Sequence, residues 1–112
     1  MRSLRQNQWK YLMIWEFRVR AGMEKPFEEA YGPEGRWVQL FRQNEGFVAT
    51  ELIRDSSEAR RYMTLDFWVS REAYEKFRDA SKTEYAAIDR ECEELTESEV
   101  EVGSFERILP RS

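Results

Sequence analysis

At 112 residues the chain has the length of one ordinary domain, and a chain of this size buries about two thirds of its unfolded surface, so a core is expected without staples. Hydrophobic residues make up 41% and aromatic residues 14%, which excludes an intrinsically disordered chain, while 36% charged residues predicts a densely charged exterior. A net charge of -4 with acids and bases interleaved argues against a nucleic-acid partner, and the absence of histidine excludes His-based triads, histidine-ligated haem and the usual zinc sites.

Residues 1–10 are polar and cationic with scattered apolar positions and read as a tail, which leaves residues 11–109 as the single domain. The longest apolar run, residues 11–15, is far too short to span a membrane, and no apolar signal segment opens the chain, so a cytoplasmic protein is expected. The stretch YLMIWEFRVR, residues 11–20, is rich in aromatic and branched residues and alternates at Trp15, Phe17 and Val19, which predicts a first strand. A turn at residues 21–23 leads into a helix opened by Glu24-Lys25-Pro26. That helix runs through Phe27, Ala30 and Tyr31, breaks at Gly32-Pro33-Glu34-Gly35, and resumes with Trp37, Leu40 and Phe41 at helical spacing. Gly32 is expected to cap the first segment and Pro33 to open the next turn.

Residues 47–54, FVATELIR, form a second predicted strand, and a five-residue polar connection leads to a third at residues 60–69. Period-two alternation places Tyr62, Thr64, Asp66 and Trp68 on one face of that strand and Met63, Leu65, Phe67 and Val69 on the other. Ser70 is a suitable N-cap, and Ala73, Phe77, Ala80, Tyr85, Ile88, Cys92 and Leu95 continue one apolar helical stripe with a bend near residues 81–83. Cys92, flanked by Glu91, Glu93 and Glu94, reads as a small apolar residue rather than a nucleophile. Residues 97–109, where Val100, Val102 and Phe105 alternate with acids, complete the series as a fourth strand.

The order β-α-β-β-α-β names the split βαβ or ferredoxin-like sandwich, an α+β fold with a four-stranded antiparallel sheet and helices on one face. Either the row of Met63, Leu65, Phe67 and Val69 or the opposite row is left for the open face. A homodimer packed sheet to sheet would bury it.

Three stretches carry a resemblance: MIWEFRVRAGMEKPFEE in strand one, NEGFVATELIRD at strand two, and above all YMTLDFWVSREAYEKF. Over residues 11 to about 106 the chain resembles the dimeric α/β barrel proteins that include the antibiotic biosynthesis monooxygenases. The resemblance implies cofactor-independent oxidation of an electron-rich phenol, anthrone or quinol in a pocket between sheet and helices. It also implies catalytic roles for Trp68 and Tyr74, which match the family's strand-three Trp and the Tyr six residues later. Thr64 stands where the family pattern has Asn, and it lacks the amide's paired hydrogen-bonding geometry. Haem-degrading relatives need an axial histidine that this sequence cannot supply. No cofactor or metal is expected, since there is no Gly-rich phosphate loop and no His or Cys cluster.

Asp66 shares the Trp68 face and is a candidate proton acceptor; if buried it needs a partner, and Arg18, Glu16, Arg36 and Tyr62 are available to form a structural cluster instead. Glu51 on strand two is a similar candidate. Tyr31, Arg36 and Trp37 flank the helix break, where they either rim a pocket or pack a kink. A dimer that binds a small apolar or aromatic ligand without chemistry is the competing function, and isomerisation of a lactone by Asp66 or Glu51 is a third.

Overall fold

Strong alternation in strands and a stripe in each helix leave each element one face to bury, and the chain satisfies this with a single sheet under one layer of helices. The structure, a computed structural model, describes residues 8–110; residues 1–7, which hold most of the expected tail, and 111–112 lie outside the described residues. The elements are β1 (Tyr11–Val19), α1 (Glu24–Tyr31), α2 (Arg36–Phe41), β2 (Phe47–Arg54), β3 (Arg61–Trp68), α3 (Arg71–Ala80), α4 (Lys82–Cys92) and β4 (Thr96–Glu106). The strands lie in the order β2-β3-β1-β4, and every neighbouring pair is antiparallel. This is the expected ferredoxin-like α+β fold, with each of its two helices broken once.

Register decides which side chains meet. Tyr11, Met13, Trp15 and Phe17 of β1 lie directly opposite Trp68, Asp66, Thr64 and Tyr62 of β3, so these rows share the face under the helices. Trp68, Tyr62, Phe27, Phe77 and Val19 are its most deeply buried side chains. The opposite face carries Leu12 and Ile14 beside Phe67 and Leu65, and the exposed Ile53, Val100 and Phe105 extend it outward. The row of Met63, Leu65 and Phe67 therefore belongs to the open face. Residues 8–10 are also engaged: Trp9 meets Phe67 edge-on at 5.0 Å, and Lys10 N–H donates to the Trp68 carbonyl at 3.0 Å.

The break after α1 departs from the expected cap in one respect. Gly32 caps α1 as expected, but Pro33 lies within the connection instead of opening α2, whose N-cap is Gly35. Both glycines have extended backbone, so neither is needed for a left-handed turn. Crowding requires them instead: a Cβ on Gly35 would stand 2.3 Å from the Ala30 carbonyl oxygen, and one on Gly32 would stand 2.6 Å from that of Glu28. At the other helix, Ser70 Oγ accepts from Ala73 N–H at 3.0 Å, and buried Ser81 marks the bend between α3 and α4. Among the described residues no helix is long and apolar enough to cross a membrane.

Candidate active site

Under the broken first helix, side chains of sheet and helices stand apart around a narrow cavity. Its floor is Thr64 and Asp66 of β3, Thr50 of β2, and Trp15 and Phe17 of β1. Tyr31, Trp37 and Phe41 come from either side of the break, Tyr85 and Asp89 come from α4, and Glu99 of β4 completes the rim. The cavity proper is small, with about 40 Å³ in which water-sized molecules can centre; counted together with the solvent at its mouth, the open space comes to about 400 Å³. Tyr31 and Trp37 thus surround a space and also narrow it.

Asp66 is the chemically distinctive group. It is 8% exposed, and its Oδ1 accepts from Thr50 Oγ1 at 2.7 Å. None of its expected partners reaches it. Arg18 pairs with Glu58 at 3.1 Å, Glu16 with Arg61 at 3.0 Å, Arg36 with Glu91, and Tyr62 donates to Glu28. Burial therefore acts on the carboxylate without a compensating cation and pushes its pKa up to about 7, against the smaller downward pull of the Thr50 bond. Glu99 is raised as well, first by partial burial and then by the charge of Asp89. Burial raises the Tyr31 and Tyr85 phenols, so both keep their protons near neutrality and serve as donors. It also raises the thiol of Cys92, a buried residue, in keeping with a packing role.

Of the residues expected at the site, Asp66, Thr64, Tyr31 and Trp37 line the cavity, and the other four do not. Trp68 sits one pleat beyond Asp66, where it is fully buried, stacks on Phe77 at 5.0 Å and meets Phe41 and Phe47 edge-on. Its ring packs the core; its indole N–H has no hydrogen-bond partner among the described residues. Tyr74 packs against Trp68, accepts from Arg78 Nη1 at 2.7 Å, and lines a separate outer groove between α3 and α4. Arg36 is exposed in its pair with Glu91, which ties α2 to α4. Glu51 lies opposite Leu65 on the open sheet face, exposed and away from the cavity.

A β-bulge explains Glu51. Alternation counted from buried Phe47 puts Glu51 inside, but the register shifts between Phe47 and Ala49, which turns Glu51 out and Thr50 in, opposite Asp66. Thr50 was missed for the same reason. Tyr85 and Asp89, one helical turn apart, and Glu99, opposite Phe17, became visible only once α4 and β4 were placed. Among the described residues no three His, Cys, Asp or Glu side chains converge as a metal site.

Comparisons with known proteins bear on this geometry. A family model described as antibiotic biosynthesis monooxygenase matches residues 11–88. No curated protein sequence matches significantly. Among solved structures, SnoaB from Streptomyces nogalater, a cofactor-independent oxygenase, superposes with a TM-score of 0.67 at 17% identity, covering 91% of this chain and 96% of its own. PA3566 from Pseudomonas aeruginosa gives 0.65 at 14% identity over 90% and 96% of the two chains. A variant of MhuD with two manganese protoporphyrin IX groups per active site gives 0.68 at 19% identity over 91% and 98%. At such identities the likeness shows the fold.

Proposed function

The chain belongs to the antibiotic biosynthesis monooxygenase family, and from this we propose that it is a monooxygenase that oxidises a small electron-rich phenol with molecular oxygen in the cavity over Asp66, without a cofactor. One observation carries the reading: a buried carboxylate, paired with no cation among the described residues and titrating at about 7, stands in an aromatic-walled space. A base with that pKa accepts a phenolic proton most effectively near neutral pH.

The phenolate then gives one electron to oxygen, and the phenoxyl radical and superoxide combine at a ring carbon that bears hydrogen. Loss of water from the hydroperoxide leaves the quinone, so that phenol and O2 become quinone and water. Asp66 takes the phenolic proton and returns it to the peroxide to give the hydroperoxide, then takes the proton of that ring carbon as hydroxide departs and passes it on to make water. Thr50 holds its carboxylate in place, and Trp15, Trp37 and Phe41 hold the ring away from water. The open apolar sheet face supports a homodimer.

Oxygen uptake with a panel of phenols, quinols and anthrones tests the reading, with Asp66→Asn as the control. Uptake by the wild type that Asp66→Asn abolishes is expected; equal uptake in the two proteins would sink it. The enclosure of Trp68 among Phe41, Phe47 and Phe77 favours a second reading, a dimer that binds such a ligand without oxidising it. Phenol binding with no uptake in either protein would select that reading.

A further inference from the structure

The cavity has a polarity that phenol oxidation alone does not require. Three carboxylates line it, Asp66 on the floor and Asp89 and Glu99 from α4 and β4, and among the described residues neither lysine nor arginine does. None of the three has an ion-pair partner among the described residues. On the sheet's other side, by contrast, Glu16, Asp55 and Glu58 all meet Arg61, and Glu97 meets Arg60. Arg78 and Lys82 line the outer groove, which shares Tyr85 and Asp89 with the cavity; the Arg78 guanidinium lies 4.1 Å from the Tyr85 ring centre, donates to Tyr74, and makes no ion pair with Asp89.

Two further observations point to a ligand. Thr64 is 5% exposed and lines the cavity, yet its hydroxyl makes no hydrogen bond among the described residues. It is a buried polar group left for something that enters. The walls are six aromatic rings, including Trp15, Trp37, Tyr31 and Tyr85, and the faces of such rings attract cations.

We propose that the cavity selects a monocyclic phenol that carries a protonated amine on a short chain. The phenol reaches Asp66 and the Thr64 hydroxyl on the floor, and the ammonium remains among the rings near Asp89 and Glu99. The narrowness of the space favours one ring over a fused tricycle. An ammonium there meets carboxylates that make no ion pair and aromatic faces together, whereas a carboxylate in the same position is repelled. This assignment rests on the cavity being the monooxygenase site, but it concerns binding and is testable without turnover.

Isothermal titration calorimetry at pH 7.5 with three probes of similar shape provides the test: tyramine, 4-ethylphenol and 3-(4-hydroxyphenyl)propionate. Tyramine is expected to bind about tenfold more tightly than 4-ethylphenol, with the propionate weakest. In the Asp89→Asn, Glu99→Gln double variant, whose changes sit outside the deep core, tyramine should fall to the level of 4-ethylphenol. Equal binding of tyramine and 4-ethylphenol by the wild type overturns the inference, as does a preference that survives the double variant or a failure of all three probes to bind. Oxygen uptake measured in parallel separates the two readings. Cation preference without uptake retains the amine site and removes the oxidation; uptake without cation preference does the reverse.

Discussion

Replacing Asp66 by Asn gives the sharpest test of how the site is held. The folded carboxyl titrates at about 7, against about 3.9 in an unfolded chain, because burial disfavours the anion and, among the described residues, only Thr50 donates a hydrogen bond to it. Below about pH 4 both states carry the proton and the side chain costs nothing. As the pH rises, the unfolded state loses the proton first, so the folded state loses stability by about 1.4 kcal/mol per pH unit until the folded group ionises as well. Above about pH 7 the penalty levels off at about 4 kcal/mol. Asn has nearly the same shape, still accepts from Thr50 Oγ1, and does not titrate. Urea unfolding of both proteins should therefore show Asp66→Asn gaining on the wild type by about 3 kcal/mol between about pH 5 and pH 8.5. All other titrating groups are common to the two proteins and largely cancel. A difference that stays flat across that window would refute the reasoning, since it would mean that the carboxyl ionises at its ordinary value.

Trp68→Ala should destabilise the protein by about 3–5 kcal/mol in the same unfolding assay, because it empties a site closed by Phe41, Phe47 and Phe77. Trp68→Phe should leave KM unchanged in the oxygen-uptake assay if the ring only packs, and a raised KM would return Trp68 to the substrate. On the open face, Leu65→Glu at the centre of β3 should convert a dimer to a monomer in size-exclusion chromatography with light scattering, because like charges would face each other across a two-fold axis. A wild type that is already monomeric would refute that assignment.

Much of the fold was legible because its signals are local. Alternation in residues 61–68 assigned Tyr62, Thr64, Asp66 and Trp68 to one face, and the structure buries all four. The Ser70 cap and the bend at Ser81 follow from side-chain chemistry that needs no tertiary context. The site was only half legible, since it depends on how the strands register. Arg18 and Glu16 looked able to reach Asp66, but they lie on the other face of β1, where they meet Glu58 and Arg61. The strand-two bulge exchanged Thr50 for Glu51, and nothing in FVATELIR announces it. Resemblance selected Trp68 and Tyr74 from their spacing, whereas the cavity opens one pleat earlier, over Asp66 and Thr64.

The broken helix and the buried acid are parts of one arrangement. On an unbroken helix, six residues at about 100° each would set positions 31 and 37 about 120° apart, so their side chains could not both face the sheet. The four-residue connection resets the phase, and Tyr31 and Trp37 both turn inward with ring centres 6.0 Å apart. That tight turn is possible because Gly35 has no side chain to strike the Ala30 carbonyl. The two rings then stand over the floor at Asp66, close enough to exclude bulk water and far enough apart to leave a space. Without the break, one ring would leave the cavity wall, and Asp66 would be either open to solvent or sealed in the core. The first outcome would return its pKa toward the ordinary carboxylate value, and the second would deny it a substrate. The glycines and proline of the connection thus do more than end a helix: they let a carboxylate be both desolvated and reachable.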